Sequence, residues 1–155
     1  MNNKTYLTKK GEQRFRNELE NLRGPMRDQL AKRLRTAIQQ GDLSENADYI
    51  AAKEEQGFIE GRILDLENLL KEVIIIDQLP LDNERVSIGS SVIVQQEGFP
   101  EEKYFLVGPQ EANPLESWIS YESPIGKALL DHLIGDQVEF SSPDGIVKLK
   151  IIRIE

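Results

Sequence analysis

The stretch Gly41-Asp42-Leu43-Ser44-Glu45-Asn46-Ala47-Asp48-Tyr49 sets three carboxylates, Asp42, Glu45 and Asp48, at intervals of three residues. Acids so spaced can cap a helix, hold a hard cation or line a solvated bend. Asp-x-x-Glu is a capping-box pattern, in which Asp42 would cap the helix that follows while Glu45 reaches back, and acids suit the positive end of a helix dipole. The same pair suits magnesium, which often takes only one or two carboxylates, keeps several waters and accepts phosphate oxygens. If both residues are helical, their β-carbons lie about 5 to 6 Å apart on one face. Spacing alone favours the cap. Ser44, however, is an alternative cap that would free Asp42. Asp48, one turn further in, reads as a solvated acid or a weak support behind the pair. Leu43 is either a packing staple or an apolar contact.

Other chemistries are excluded by composition. The 155 residues contain no cysteine and a single histidine, His132, so disulfides, thiolate metal sites, a thiol nucleophile and a histidine-based zinc or triad site are set aside. The chain fits one or two small domains. With no run of about 18 apolar residues and no apolar signal region in MNNKTYLTKK, it is expected to be cytoplasmic, with no membrane partner. The net charge of −8 is unevenly placed. Residues 8–40 carry nine Lys or Arg against four acids, whereas 42–77 carry three against ten, so segments of opposite sign flank the acidic stretch.

Those segments read as two long helices. Tyr49, Ala52, Gln56, Ile59, Ile63, Leu66, Leu70 and Val73 alternate spacings of three and four, a coiled-coil seam, and Phe15, Leu19, Leu22, Met26, Leu30, Leu34 and Ala37 nearly repeat it. Folded back on each other, the helices pair Phe15 with Leu70, Leu22 with Ile63, Leu30 with Gln56 and Ala37 with Tyr49, in layers whose residue numbers add to a constant within one. That arithmetic puts the turn near residues 42 and 43, where Gly41 suits the left-handed position closing a helix. The first helix, from Thr8 as cap to Gln40, would extend roughly 50 Å. Gly24-Pro25 should kink it, with Gly24 facing Gly61 at a close approach; mid-helix Gly57 and Gly61 each cost about 1 kcal/mol relative to Ala and so ask for a packing reason.

The helical period disappears around Pro80, which sets a boundary between residues 1–79 and 80–155. Beyond it, SVIVQQ, KYFLVG, SWISY, QVEFSS and IVKLKIIRI read as strands, with Gly108-Pro109 and Ser142-Pro143-Asp144-Gly145 as turns. Ser123-Pro124 starts a helix that Gly135 ends and that carries His132. The expected architecture is an antiparallel α+β domain behind a helical hairpin. With six basic residues against thirteen acids from residue 80 on, this domain suits a protein partner better than nucleic acid. Trp118 reads as core.

GDLSENADYIAAKEEQGFIEGRI, and SPIGKALL followed by GDQVEF and PDGIVKLKII, resemble the bacterial transcript cleavage factors of the Gre family across essentially the whole chain. The resemblance implies an N-terminal antiparallel coiled coil and a C-terminal FKBP-like domain. It implies a monomeric elongation factor, associated with the nucleoid through bacterial RNA polymerase, whose secondary channel the rod enters. There the polymerase cleaves the 3′ end of nascent RNA in a backtracked complex. Asp42 and Glu45 fall on the family's two tip carboxylates, implied ligands of a catalytic Mg2+ shared with the polymerase and bound weakly by the factor alone. Leu43, Ser44, Asn46, Asp48 and Tyr49 would support the tip. Arg23, Arg27, Lys32, Arg33, Arg35 and Lys53 would face RNA, although pairing with the acidic second helix, as in Lys32 with Glu54, accounts for most of the arginines. Ser123, Pro124 and Ile125 would dock on polymerase. Rival readings are a Gre-like antagonist that occupies the channel without stimulating cleavage and a prolyl isomerase; the intact GDLSENADY opposes the first, and no evident proline pocket supports the second.

Overall fold

The computed structural model describes residues 4–42 and 44–155. They form two compact units, one of residues Glu12–Val73 and one that joins the segment up to Gly11 to Ile74–Glu155. The boundary read from sequence at Pro80 therefore has a second side. Strand β1 (Thr5–Leu7) pairs with β2 (Val73–Ile75) in a two-stranded sheet. That pairing draws the chain's start and residues 74–79 in with the sheet unit.

The helical unit contains α1 (Lys9–Asn21) from Glu12 on, a π-helical turn (Leu22–Met26), α2 (Arg27–Gln39) and α3 (Ala47–Leu69). The interruption expected at Gly24-Pro25 takes the form of that π turn. Proline has no N–H to give and its ring crowds the carbonyl four residues back, and a wider turn relieves both conflicts. The close approach expected between Gly24 and Gly61 is not formed, for a Cβ at either would meet nothing within 4 Å. The extra residue of the π turn takes Gly24 out of step with the seam.

The helices on either side of the tip run antiparallel. Arg23 meets Glu67 at 3.3 Å, Arg27 meets Glu60 at 2.6 Å and Arg33 pairs with Glu55, so partner numbers on α3 fall as numbers rise from the π turn into α2. The contact expected for Lys32 with Glu54 is made instead by their neighbours Arg33 and Glu55. These pairs are half-exposed, so they align the helices more than they stabilise them. Stability comes from the seam, where Phe15, Leu19, Leu30, Ala37, Ala52, Ile59, Ile63, Leu66 and Leu70 are buried.

In the other unit, β3 (Ser91–Gln95), β4 (Glu102–Val107), β5 (Trp118–Ser120), β6 (Gln137–Ser142) and β7 (Gly145–Ile154) form a sheet of order β5-β4-β3-β7-β6. The sheet is mixed, which corrects the antiparallel expectation. β4 and β5 pair in parallel, because the chain between them is no tight turn but a crossover built from two 3-10 turns, Pro109–Glu111 and Pro114–Glu116. Val92, Val94, Leu106, Leu129, Leu149 and Ile151 form the core under α4 (Pro124–Leu129). This helix ends six residues before Gly135, so His132 lies beyond it, exposed, with Nδ1 3.3 Å from Asp136 Oδ2.

A buried acid fixes the start of α1. Thr8 caps the helix by accepting from the Gly11 N–H at 3.0 Å. Glu111 accepts from both the Thr8 N–H and the Thr8 hydroxyl at 2.6 Å. A Cβ at Gly11 would overlap Glu111 Oε1, so any other residue there must push that carboxylate aside.

Candidate functional site

α2 closes at Gln40, and Gly41 turns the chain with φ +109°, a conformation that favours glycine. The chain re-enters helix only after Asn46. That side chain accepts from the Tyr49 N–H at 3.1 Å and donates from Nδ2 to the Ala37 carbonyl at 2.7 Å. One residue thus caps α3 and ties its start to the last turn of α2. Tyr49 and Asn46 are half-buried, while Asp42, Ser44, Glu45 and Asp48 are exposed. Leu43 lies outside the described residues.

This arrangement removes the cap from the alternatives left open by spacing. Neither Asp42 nor Ser44 caps the helix, and Glu45 does not reach back, because both acids precede Asn46. Asp42 Oδ1 instead accepts from the Ser44 N–H at 3.0 Å and from the Ser44 hydroxyl at 2.8 Å. Those two bonds, the backbone one foremost, hold the Asp42 carboxyl below the usual carboxylate range. Oδ2 of Asp42 and the whole Glu45 carboxylate take no part in hydrogen bonds or ion pairs among the described residues. Asp42, Glu45 and Asp48 line one open cleft of about 400 Å³ with Gln40, Asn46 and Ala47. No three His, Cys, Asp or Glu side chains converge as a metal group among the described residues. The site can therefore offer an ion or a cationic group two anionic ligands that need no prior rearrangement of a cap.

Of the basic residues, Arg23, Arg27 and Arg33 are engaged by α3 acids, and Lys53 Nζ donates to Gln56 Oε1 at 2.9 Å. Lys32 and Arg35 are exposed and form no ion pair among the described residues. In the sheet unit Ser123 caps α4 by accepting from the Gly126 N–H at 3.1 Å, with exposed Pro124 in the first turn and Ile125 half-buried against the core. The residue whose role sequence reasoning missed is Asn46. Its signal was present, since asparagine three residues before the first apolar seam residue is a strong N-cap.

Comparison with known proteins identifies this pattern. Residues 5–75 match the family model for the N-terminal part of a transcription elongation factor, and residues 81–155 match the GreA/GreB C-terminal model. The chain belongs to the GreA/GreB family of transcription elongation factors. Transcription elongation factor GreA of Acetivibrio thermocellus is 47% identical over 154 residues, covering 99% of this chain and 97% of its own. GreA of Clostridioides difficile is 46% identical, covering 99% and 97%. Among solved structures, GreA factor homolog 1 of Thermus thermophilus is 31% identical, with 98% and 99% covered and a TM-score of 0.43. As a Gre-family member the chain acts in transcription, and no described helix is long and apolar enough to cross a membrane.

Proposed function

We propose that this Gre-family factor enters the secondary channel of bacterial RNA polymerase and completes the polymerase's own hydrolytic site, stimulating cleavage of backtracked RNA. The helical unit acts as an antiparallel coiled coil with the Asp42–Glu45 tip at its leading end. The sheet unit is FKBP-like and docks on polymerase around Ser123, Pro124 and Ile125. The factor works as a monomer, follows polymerase in the cytoplasm and is not itself an enzyme.

One observation carries the reading: Asn46, and neither tip acid, caps α3. Acids at an exposed turn that do not cap the helix keep carboxylate oxygens available for a ligand, Oδ2 of Asp42 and both oxygens of Glu45. Magnesium fits the donor set, for Asp42 is held ionised by Ser44 and Glu45 is unengaged. When bound, the ion supplies charge balance on phosphodiester oxygens and activation of water. Asp42 Oδ2 and Glu45 would hold it, while polymerase and RNA would complete its shell. Lys32 and Arg35, which have no carboxylate partner among the described residues, are the cations best placed to meet RNA phosphates.

The test is RNA shortening in a stalled, backtracked bacterial elongation complex. Asp42→Asn and Glu45→Gln should each lower stimulation on the order of 100-fold or more at unchanged melting temperature. Retained stimulation in both variants would refute the metal role.

A further inference from the structure

The solvent face of α3 carries large apolar side chains among its polar ones, Lys53, Glu54, Asp65 and Asn68. With Ile59, Ile63 and Leu66 turned into the seam, the opposite side carries Ile50, Gly57, Gly61 and Leu64, and beside them Phe58. Phe58 is 79% exposed, Leu64 60% and Ile50 46%. Large apolar side chains this exposed and this close together mark a surface that a partner covers. Gly57 and Gly61 deepen the anomaly. They lie one turn apart with nothing within 4 Å of a Cβ at either, so this chain gives them no packing reason, yet they leave a shallow saddle between the large side chains.

Charge selects the occupant. Glu54 and Asp65 stand on the same side of this face, roughly one and a half helical turns to either side of its centre, and neither forms an ion pair among the described residues. A phosphate-bearing ligand or an anionic lipid surface would be repelled. A second copy is opposed as well. If two such faces pack antiparallel about the saddle, Glu54 of one meets Asp65 of the other; if they pack parallel, each acid meets itself. What complements the face is a cationic helix with an aliphatic knob for the saddle and Lys or Arg about three turns apart.

We propose that the Ile50–Leu64 face of α3 is a docking surface for such a helix on RNA polymerase, and that it holds the factor in place while the tip acts. This rests on the proposed function for the identity of the partner, and the tip and the face are separable. The face adds to the affinity that the sheet unit supplies, whereas Asp42 and Glu45 set the cleavage rate at saturation.

Binding of the full-length factor to a backtracked bacterial elongation complex tests it, with cleavage followed in parallel. Gly61→Ala fills the saddle while favouring the helix, so it should raise the melting temperature and weaken binding about threefold; Gly61→Leu should weaken it about tenfold or more. Phe58→Ala, at an exposed position, should weaken binding at unchanged melting temperature. For each, cleavage at saturating factor should match wild type. Glu54→Lys with Asp65→Lys should also weaken binding, most at low salt. Affinities within twofold of wild type for Gly61→Leu and Phe58→Ala would overturn the inference while wild-type cleavage left the proposed function standing. Self-association of the wild type abolished by Gly61→Leu would overturn it in favour of a second copy. A wild type that neither binds nor stimulates polymerase would remove both.

Discussion

Two helix starts in this molecule use acids in opposite ways. At α1 the carboxylate comes from a distant part of the chain: Glu111, 7% exposed, takes both donors that Thr8 offers. At α3 the carboxylates are local, yet the cap is the neutral Asn46, and Asp42 and Glu45 stand in solvent ahead of it. The same dipole field favours an acid in both places. What separates them is hydrogen-bond employment. Glu111 is consumed by the fold, so replacing it should cost stability, whereas the tip pair is dispensable to the fold and should cost only activity when lost.

The sharpest break of that contrast is the double variant Asp42→Asn with Glu45→Gln, expected to abolish stimulation of RNA cleavage while leaving thermal unfolding where it was. The reverse pattern belongs to Glu111. Glu111→Ala leaves the buried Thr8 N–H without its acceptor and should destabilise the chain by about 2 to 3 kcal/mol, read by denaturant unfolding. Gly11→Ala should cost less, about 1 kcal/mol, by pushing the Glu111 carboxylate away from Thr8. If Glu111→Ala unfolds like wild type, the α1 start is not fixed by this acid and the contrast fails.

The seam of the helical unit was legible because its period is local and dense. Ala52, Ile59, Ile63, Leu66 and Leu70 are buried as their spacing requires. At Pro25 the helix widens into a π turn, and the seam residues there, Leu22 and Met26, are half-buried, as are Leu34 and Tyr49 nearer the tip. The parallel β4–β5 pair was hidden because strand-forming composition carries no direction, and only the length of the intervening chain speaks to it. At the tip, spacing named the acids but misassigned the cap, since Asp, Ser and Asn are nearly equivalent caps and backbone geometry alone chooses among them. Glu111 was beyond reach, for nothing local ties residue 111 to residue 8. The exposed Phe58 and Leu64 on the outer side of α3 fall outside the seam period, which therefore says nothing of them.

Asn46→Ala tests the claim that this residue relieves the acids of capping. It removes the bond to the Tyr49 N–H and the tie to the Ala37 carbonyl, and should destabilise the helical unit by about 1 kcal/mol. In that variant Ser44 or Asp42 becomes the best remaining cap, so cleavage should fall as well, by a factor that saturating magnesium partly restores. Asn46→Asp, which keeps the acceptor and loses the Ala37 tie, should sit between the two.

Ser44→Ala has the smallest expected effect and the cleanest readout. It deletes the hydroxyl bond to Asp42 Oδ1 and leaves the backbone one, so the Asp42 pKa, followed by carboxyl NMR, should rise part of the way toward the ordinary value. The sign follows from the direction of the shift. A carboxyl whose folded value is depressed adds stability above its unfolded pKa, and that contribution is lost as pH falls through the folded value. Asp42 is fully exposed, so the melting temperature near neutral pH should not move. Cleavage should respond only on the acid side, with its lower limb displaced upward in pH relative to wild type. A wild-type Asp42 titrating at the same pH as in Ser44→Ala would mean that Ser44 does not orient the carboxylate, and the tip pair would then be as unconstrained as any two surface acids.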